Sequence, residues 1–276
     1  MASSDQIVLF DIPTKPPQKA WSFNTWRSKH PLFPASPQTN DRSASPAPLQ
    51  KPKLPHRMGL RSHTFVPLCL TQGWQLEYPD IRTRLEGHVP PNNTDTPYTV
   101  PTLLLPDGTY VTNNKDIYAL IESRYPSPPL AYETPAFERF LPAVREMMSP
   151  LFAVYAPTVM FRLLDDASVP YFRRTREEDV GMTMEEYQAT QGGEFAYKGM
   201  EKGLREITAL LSENGGPFFG GEEVAHADFV WVGILVFLER LGEDVFGEIK
   251  ARCGGWEVHE KLLGAVRERE WLGRDD

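Results

Sequence analysis

At 276 residues the chain is long enough for two ordinary domains, and its 41% hydrophobic and 24% charged content is that of a globular protein. A formal charge of −8 argues against a nucleic-acid binder, which normally carries a basic stripe, and leaves a small-molecule ligand as the default. No apolar run has the length of a membrane-spanning helix, the start MASSDQIVLF lacks a charged-then-apolar leader, and two cysteines make no disulfide framework, so a cytosolic address is expected.

Ile7-Val8-Leu9-Phe10 is a short apolar run ending at Asp11, the form of a strand buried on both faces. After a Pro-rich loop, Ser22 reads as the N-cap of a helix that begins through Asn24 and Trp26 and then fails to continue. Between residues 28 and 73 the composition changes: eight of the 26 prolines, three of the six histidines, and six Lys or Arg against the single acidic Asp41. Such a stretch cannot hold helical hydrogen bonds past its prolines and has little to bury, so disorder is the expectation. Order resumes at Trp74, and Pro79-Asp80 opens a short helix through Ile81 and Leu85. Val100-Pro101-Thr102 begins a β-hairpin that turns at Pro106-Asp107-Gly108 and returns through Thr109-Tyr110-Val111. Ile117, Leu120, Ile121 and Tyr125 then recur at helical spacing after Asn114, which reads as the N-cap.

From Pro135 onward the apolar pattern is helical almost throughout. Phe140, Val144, Met147, Met148, Leu151 and Phe152 mark its first part, Tyr197 to Leu211 a further helix, and Asp228 to Leu241 a run apolar nearly all round that suits the centre of a bundle. Ala225-His226-Ala227-Asp228 keeps only the acidic half of a capping box, since Ala225 has no side-chain acceptor. Cys69 and Cys253 carry no activating motif, His88, His226 and His259 show no metal-ligand spacing, and Arg173, Arg174 and Arg176 beside Glu177 and Glu178 read as a solvated helix face.

Strand, helix start, strand, helix, Pro-headed hairpin and closing helix is the order of a thioredoxin fold, here followed by a helical bundle. The stretches IVLFDIPTKPPQKAWSFNTWR, LEYPDI, YTVPTLLLPDGTYV, YFRRTREE and ADFVWVGILVFLERLGEDVF resemble fungal glutathione S-transferase-like proteins related to the bacterial β-etherase and omega-like branches, everywhere except about residues 28–73. The resemblance implies an α/β thioredoxin-like N-terminal domain over residues 1–127, interrupted by 28–73, and an all-α helical-bundle C-terminal domain over 128–276. In that family the first helix runs straight on from TWR, so 28–73 reads as a replacement of it, as translated intron or a wrong exon would produce.

The resemblance also implies glutathione as cofactor. A cis peptide bond at Val100-Pro101 would turn the Val100 backbone toward the ligand, as an added strand pairs with a sheet edge. The γ-glutamyl end would meet the positions of Asn113 and Asn114, where the family has an acidic residue and a Ser. Ser22 would favour the glutathione thiolate, with Asn24 as backup. The implied function is a glutathione transferase acting with that thiolate on a small electrophilic or ether-bearing substrate, with a homodimer as the possible assembly and without metal, nucleic acid or membrane. The alternatives are a silent transferase-fold binding or structural protein and a glutathione-dependent isomerase or dehydratase.

Overall fold

The structure is a computed structural model, and it describes residues 7–12, 14–15, 70–92, 96–124 and 134–268. Four strands form one sheet in the order β2-β1-β3-β4. β1 (Ile7–Asp11) runs parallel to β2 (Leu70–Gln75) and antiparallel to β3 (Thr102–Leu104), which pairs with β4 (Tyr110–Thr112). The apolar run of β1 is buried on both faces, as its composition predicts. Val8 and Phe10 join the large core shared with the helices, while Leu9 packs with Leu103, Leu105, Ile117 and Ile121 in a second cluster.

β2 begins at Leu70, inside the segment 28–73, and its first residues pair with Ile7 and Val8. The boundary read at Gly73 is therefore a few residues late, because backbone pairing with β1 orders a stretch whose composition alone gave no strand signal. The rest of that segment, the expected helix after Ser22, and Cys69 lie outside the described residues.

α1 (Tyr78–Leu85) opens with Pro79 in its first turn and buries Ile81 and Leu85 against the sheet. The β3–β4 connection turns where the sequence places it: Leu105 and Thr109 close the loop, Gly108 takes φ 86°, and Asp107 Oδ1 accepts the Thr109 N–H at 2.9 Å. α2 (Asn114–Arg124) buries Ile117, Tyr118 and Ile121.

The helical half begins with α3 (Pro135–Thr158), capped by Thr134 Oγ1, which accepts the Phe137 N–H at 3.1 Å. It widens into a π-helical turn, Val159–Leu163. α4 (Val169–Val180), α5 (Met184–Gln191), α6 (Gly193–Ser212), α7 (His226–Leu241), α8 (Glu243–Arg252) and α9 (Trp256–Glu268) follow. α7 is buried on every side from His226 to Leu238, the fate of a helix with no polar face. α3 and α6 approach so closely that a Cβ on Gly203 would lie 2.5 Å from the Ala143 carbonyl oxygen and 2.6 Å from the Met147 nitrogen. α9 is tied in by His259, whose Nδ1 accepts the Trp231 indole N–H at 2.9 Å and whose Nε2 meets Thr208 Oγ1 at 2.9 Å.

The two halves are joined by hydrogen bonds as well as by packing. The Lys15 N–H donates to the Leu163 carbonyl at 2.7 Å, and the Tyr78 N–H donates to Ser168 Oγ at 2.9 Å. Ser168, fully buried, in turn donates to Glu77 Oε2. A mixed four-stranded sheet with its helices and a following all-helical domain is the thioredoxin-like plus helical-bundle architecture.

Candidate functional site

The register of the sheet gathers four of the predicted residues, Val100, Pro101, Asn113 and Asn114, at one end of the strands. Thr102 faces Thr112 across β3 and β4, so the head of β3, Val100-Pro101, lies beside the chain leaving β4, Asn113-Asn114. Thr102 also faces Phe10, so the end of β1, from which the chain leads toward Ser22, reaches the same end. The Val100-Pro101 bond is cis, Pro101 is buried and Val100 half-buried. Thr102 is fully buried, and its Oγ1 donates to the Thr99 carbonyl at 2.9 Å, which anchors the turn entering β3.

The start of α2 differs in detail from the sequence reading. Asn113, not Asn114, is the capping residue: its Oδ1 accepts the Asp116 N–H at 3.2 Å, and its carbonyl accepts the Ile117 N–H at 3.1 Å. Asn114 is already the first helical residue. Asn113 sits at φ 57°, a left-handed conformation that asparagine tolerates better than most residues. Its Nδ2 also donates to Asp116 Oδ2 at 2.6 Å, a side-chain hydrogen bond that holds the capping amide in place. Asp116 is a candidate site residue the sequence reading missed; the signal was the Asn-x-x-Asp spacing. It brings a carboxylate to an edge where positions 113 and 114 supply only amides.

Ser22 and Asn24 lie outside the described residues. Among the described residues no group of three His, Cys, Asp or Glu is placed to hold a metal ion, and no helix is long and apolar enough to cross a membrane. Cys253 is a free, buried thiol whose Sγ donates to the Lys250 carbonyl.

Asp228 has the folding role its position suggests. Its Oδ2 accepts the Ala225 N–H at 2.7 Å, the surviving half of the capping box, and its Oδ1 accepts the Phe219 N–H at 2.8 Å, which pins the loop before α7. Burial pushes this carboxyl up to about 7, against the opposing effect of the two amides. Arg173 and Arg174 do form a solvated ladder, with Glu177 and Glu185 and with Glu178. Arg176 does not belong to that ladder. Its guanidinium lies 4.9 Å over the Phe172 ring, turned toward the junction between the halves.

The model of the glutathione S-transferase C-terminal domain matches residues 135–258. A glutathione S-transferase-like protein, ustS, of Aspergillus flavus is 27% identical over 218 residues, covering 70% of this chain and 79% of that protein. Among solved structures, glutathione transferase GSTFuA2 from Phanerochaete chrysosporium superposes with a TM-score of 0.72 at 22% identity, covering 98% of this chain and 99% of the other. A glutathione S-transferase of Ceriporiopsis subvermispora, solved in complex with glutathione, superposes with a TM-score of 0.70 at 24% identity, covering 98% of each chain. Residues 135–258 thus match the glutathione S-transferase C-terminal domain, and the chain as a whole shares the fold of these fungal glutathione transferases.

Proposed function

We propose that the protein is a glutathione transferase that uses the glutathione thiolate on a small electrophilic or ether-bearing substrate. The observation that carries this reading is the convergence, by strand register, of the Val100 backbone, the Asn113-Asn114 amides and the Asp116 carboxylate on one sheet edge. A peptide-like ligand laid along that edge finds backbone groups for its own amides. Its γ-glutamyl carboxylate meets the start of α2, where the helix dipole favours an anion, and its ammonium meets Asp116. The fit supports glutathione, whose γ-glutamyl end carries both of those charges, and a fold relative has been solved with glutathione bound.

Ser22 is the residue assigned to favouring thiolate over thiol, by its hydroxyl and the start of its helix. The competing reading is a transferase-fold binding protein without turnover, and one observation favours it: Asn113 already engages the Asp116 carboxylate. Isothermal titration with glutathione and a turnover assay with an activated aryl halide separate the two. Binding with turnover supports the transferase, binding without turnover the silent protein, and no binding at millimolar glutathione by a well-folded sample refutes both. Ser22→Ala should leave glutathione affinity in place while lowering kcat.

A further inference from the structure

The sequence contains one Asn-Gly pair, Asn214-Gly215, and it stands in the loop between α6 and α7. A glycine nitrogen has no neighbouring Cβ to shield it, so this pair is the one most open to cyclic-imide chemistry. Both residues are exposed, and Gly215 takes φ 74°. Among the described residues the Gly215 N–H makes no hydrogen bond, so the fold does not occupy the nitrogen that would attack.

The Asn214 side chain closes the loop. Its Nδ2 donates to the Phe219 carbonyl at 2.6 Å, and since a carbonyl only accepts, the partner itself fixes which end of the amide points inward. Phe219 is buried, its ring centroid lies 5.0 Å from that of Phe140, and its N–H donates to Asp228 Oδ1 at 2.8 Å. Asp228 Oδ2 in turn accepts the N–H of Ala225, the N-cap of α7. One line of hydrogen bonds therefore runs from an exposed amide to the first turn of the buried helix. The loop has no slack: Phe218 and Gly221 exchange backbone bonds at 3.1 and 2.9 Å, and a Cβ on Gly216 would fall 2.1 Å from the Gly221 carbonyl oxygen. A Cβ on Gly221 would lie 3.2 Å from the Asn214 carbonyl oxygen.

We propose that Asn214 is a deamidation site, and that its conversion unlatches the loop leading into α7. The Gly215 nitrogen loses its proton to solvent and bonds to Asn214 Cγ. The Cγ–Nδ2 bond breaks, and the amide nitrogen takes up a proton and leaves as ammonia. Water then opens the cyclic imide at one of its two carbonyls, which leaves aspartate or isoaspartate at position 214. Aspartate puts a carboxylate oxygen where the Nδ2 donor stood, so two acceptors face each other and the Phe219 carbonyl loses its partner. Isoaspartate loses the same donor and adds a methylene to a main chain already in close contact with itself. In both products Phe219 is released on one side, and it is the residue through which Asp228 holds the loop.

The test incubates the full folded chain at mildly alkaline pH and physiological temperature, with peptide mass mapping over time. The fragment carrying Asn214 should show the amide-to-acid mass gain before any fragment carrying another asparagine. Asn214→Gln, where attack has to close a less favourable six-membered ring, should convert at least about tenfold more slowly at that position. Amide hydrogen exchange over residues 219–225 should be about tenfold faster in the aged protein than in fresh protein, and Asn214→Asp should reproduce the change without ageing. The aged protein carries this measurement if Asn214→Asp fails to fold. A fragment that keeps its Asn214 amide in the folded chain overturns the site, whether or not the urea-unfolded chain converts. Exchange over residues 219–225 that is the same in fresh protein, aged protein and Asn214→Asp overturns the latch.

Discussion

Asp228 and His259 are both fully buried in the helical half, and burial acts on them in opposite senses. The Asp228 carboxyl is raised from 3.8 to about 7, so the native state holds a proton that the unfolded chain releases; its stabilisation is complete below pH 3.8 and is lost as pH rises to 7. The His259 imidazole is lowered from 6.5 to about 4, so the unfolded chain takes up a proton the native state refuses; its stabilisation is complete above pH 6.5 and is lost as pH falls to 4. At about 1.4 kcal/mol per pKa unit the two effects are worth roughly 4 and 3 kcal/mol, and between pH 4 and 6.5 they nearly cancel. Replacing either residue uncovers the other. Urea unfolding of the unaltered protein and of Asp228→Asn across pH 4 to 7.5 should show a stability deficit in the variant that shrinks by about 4 kcal/mol as pH rises. His259→Gln should show a deficit that shrinks by about 3 kcal/mol as pH falls. Other titrating groups are common to variant and parent and drop out of the difference. A deficit for Asp228→Asn that grows with pH would mean that the Ala225 and Phe219 amides hold the carboxylate ionised in the fold, and the argument from burial would be wrong.

Gly203→Ala places a Cβ against backbone atoms of α3, which have nowhere to move, so it should cost about 1–3 kcal/mol or more in chemical denaturation. Gly264→Ala is the contrasting change: nothing lies within 4 Å of its Cβ position inside α9, and the variant should gain up to about 1 kcal/mol. Asn113→Ala removes the N-cap and sets a Cβ-bearing residue without a local hydrogen bond at φ 57°, so it should cost about 1–2 kcal/mol, whereas Asn113→Gly relieves the backbone and should cost less. Ser168→Ala leaves the Tyr78 N–H and the Glu77 carboxylate without their shared partner and should lower stability by about 1–3 kcal/mol in the same assay.

Elements whose signal is local were legible in the sequence. Ile7 to Phe10, the Asp107-Gly108 turn, and the apolar run into Leu241 appear where pattern and turn chemistry place them, because each is decided by neighbouring residues. The start of β2 was not legible: Leu70 to Gly73 become a strand by pairing with β1, a partner some sixty residues away whose influence no local window carries. At α2 both asparagines can cap, and the side-chain partner decides between them, since three residues after Asn113 stands Asp116 and three after Asn114 stands Ile117. Arg176 was read with its neighbours as a solvated cation. The distinguishing mark was present: Arg173 and Arg174 have glutamates four residues on, whereas Arg176 has Val180, and Phe172 stands four residues before it on the same face.

The placement of the proposed chemistry depends on how the π-helical turn ends α3. Leu164 leaves in extended conformation, so the Leu163 carbonyl is not consumed by a continuing helix and accepts the Lys15 N–H from the chain leaving β1. The second tie, through Ser168 to Tyr78 and Glu77, sits at the start of α4 and meets the chain leaving β2. Both ties thus grip the sheet at the ends of adjacent parallel strands, the end that also carries the head of β3 and the cap of α2. The two halves are therefore tied by two backbone donors, of which the Lys15 N–H meets a backbone carbonyl and survives any side-chain substitution, whereas the Tyr78 N–H depends on Ser168 Oγ.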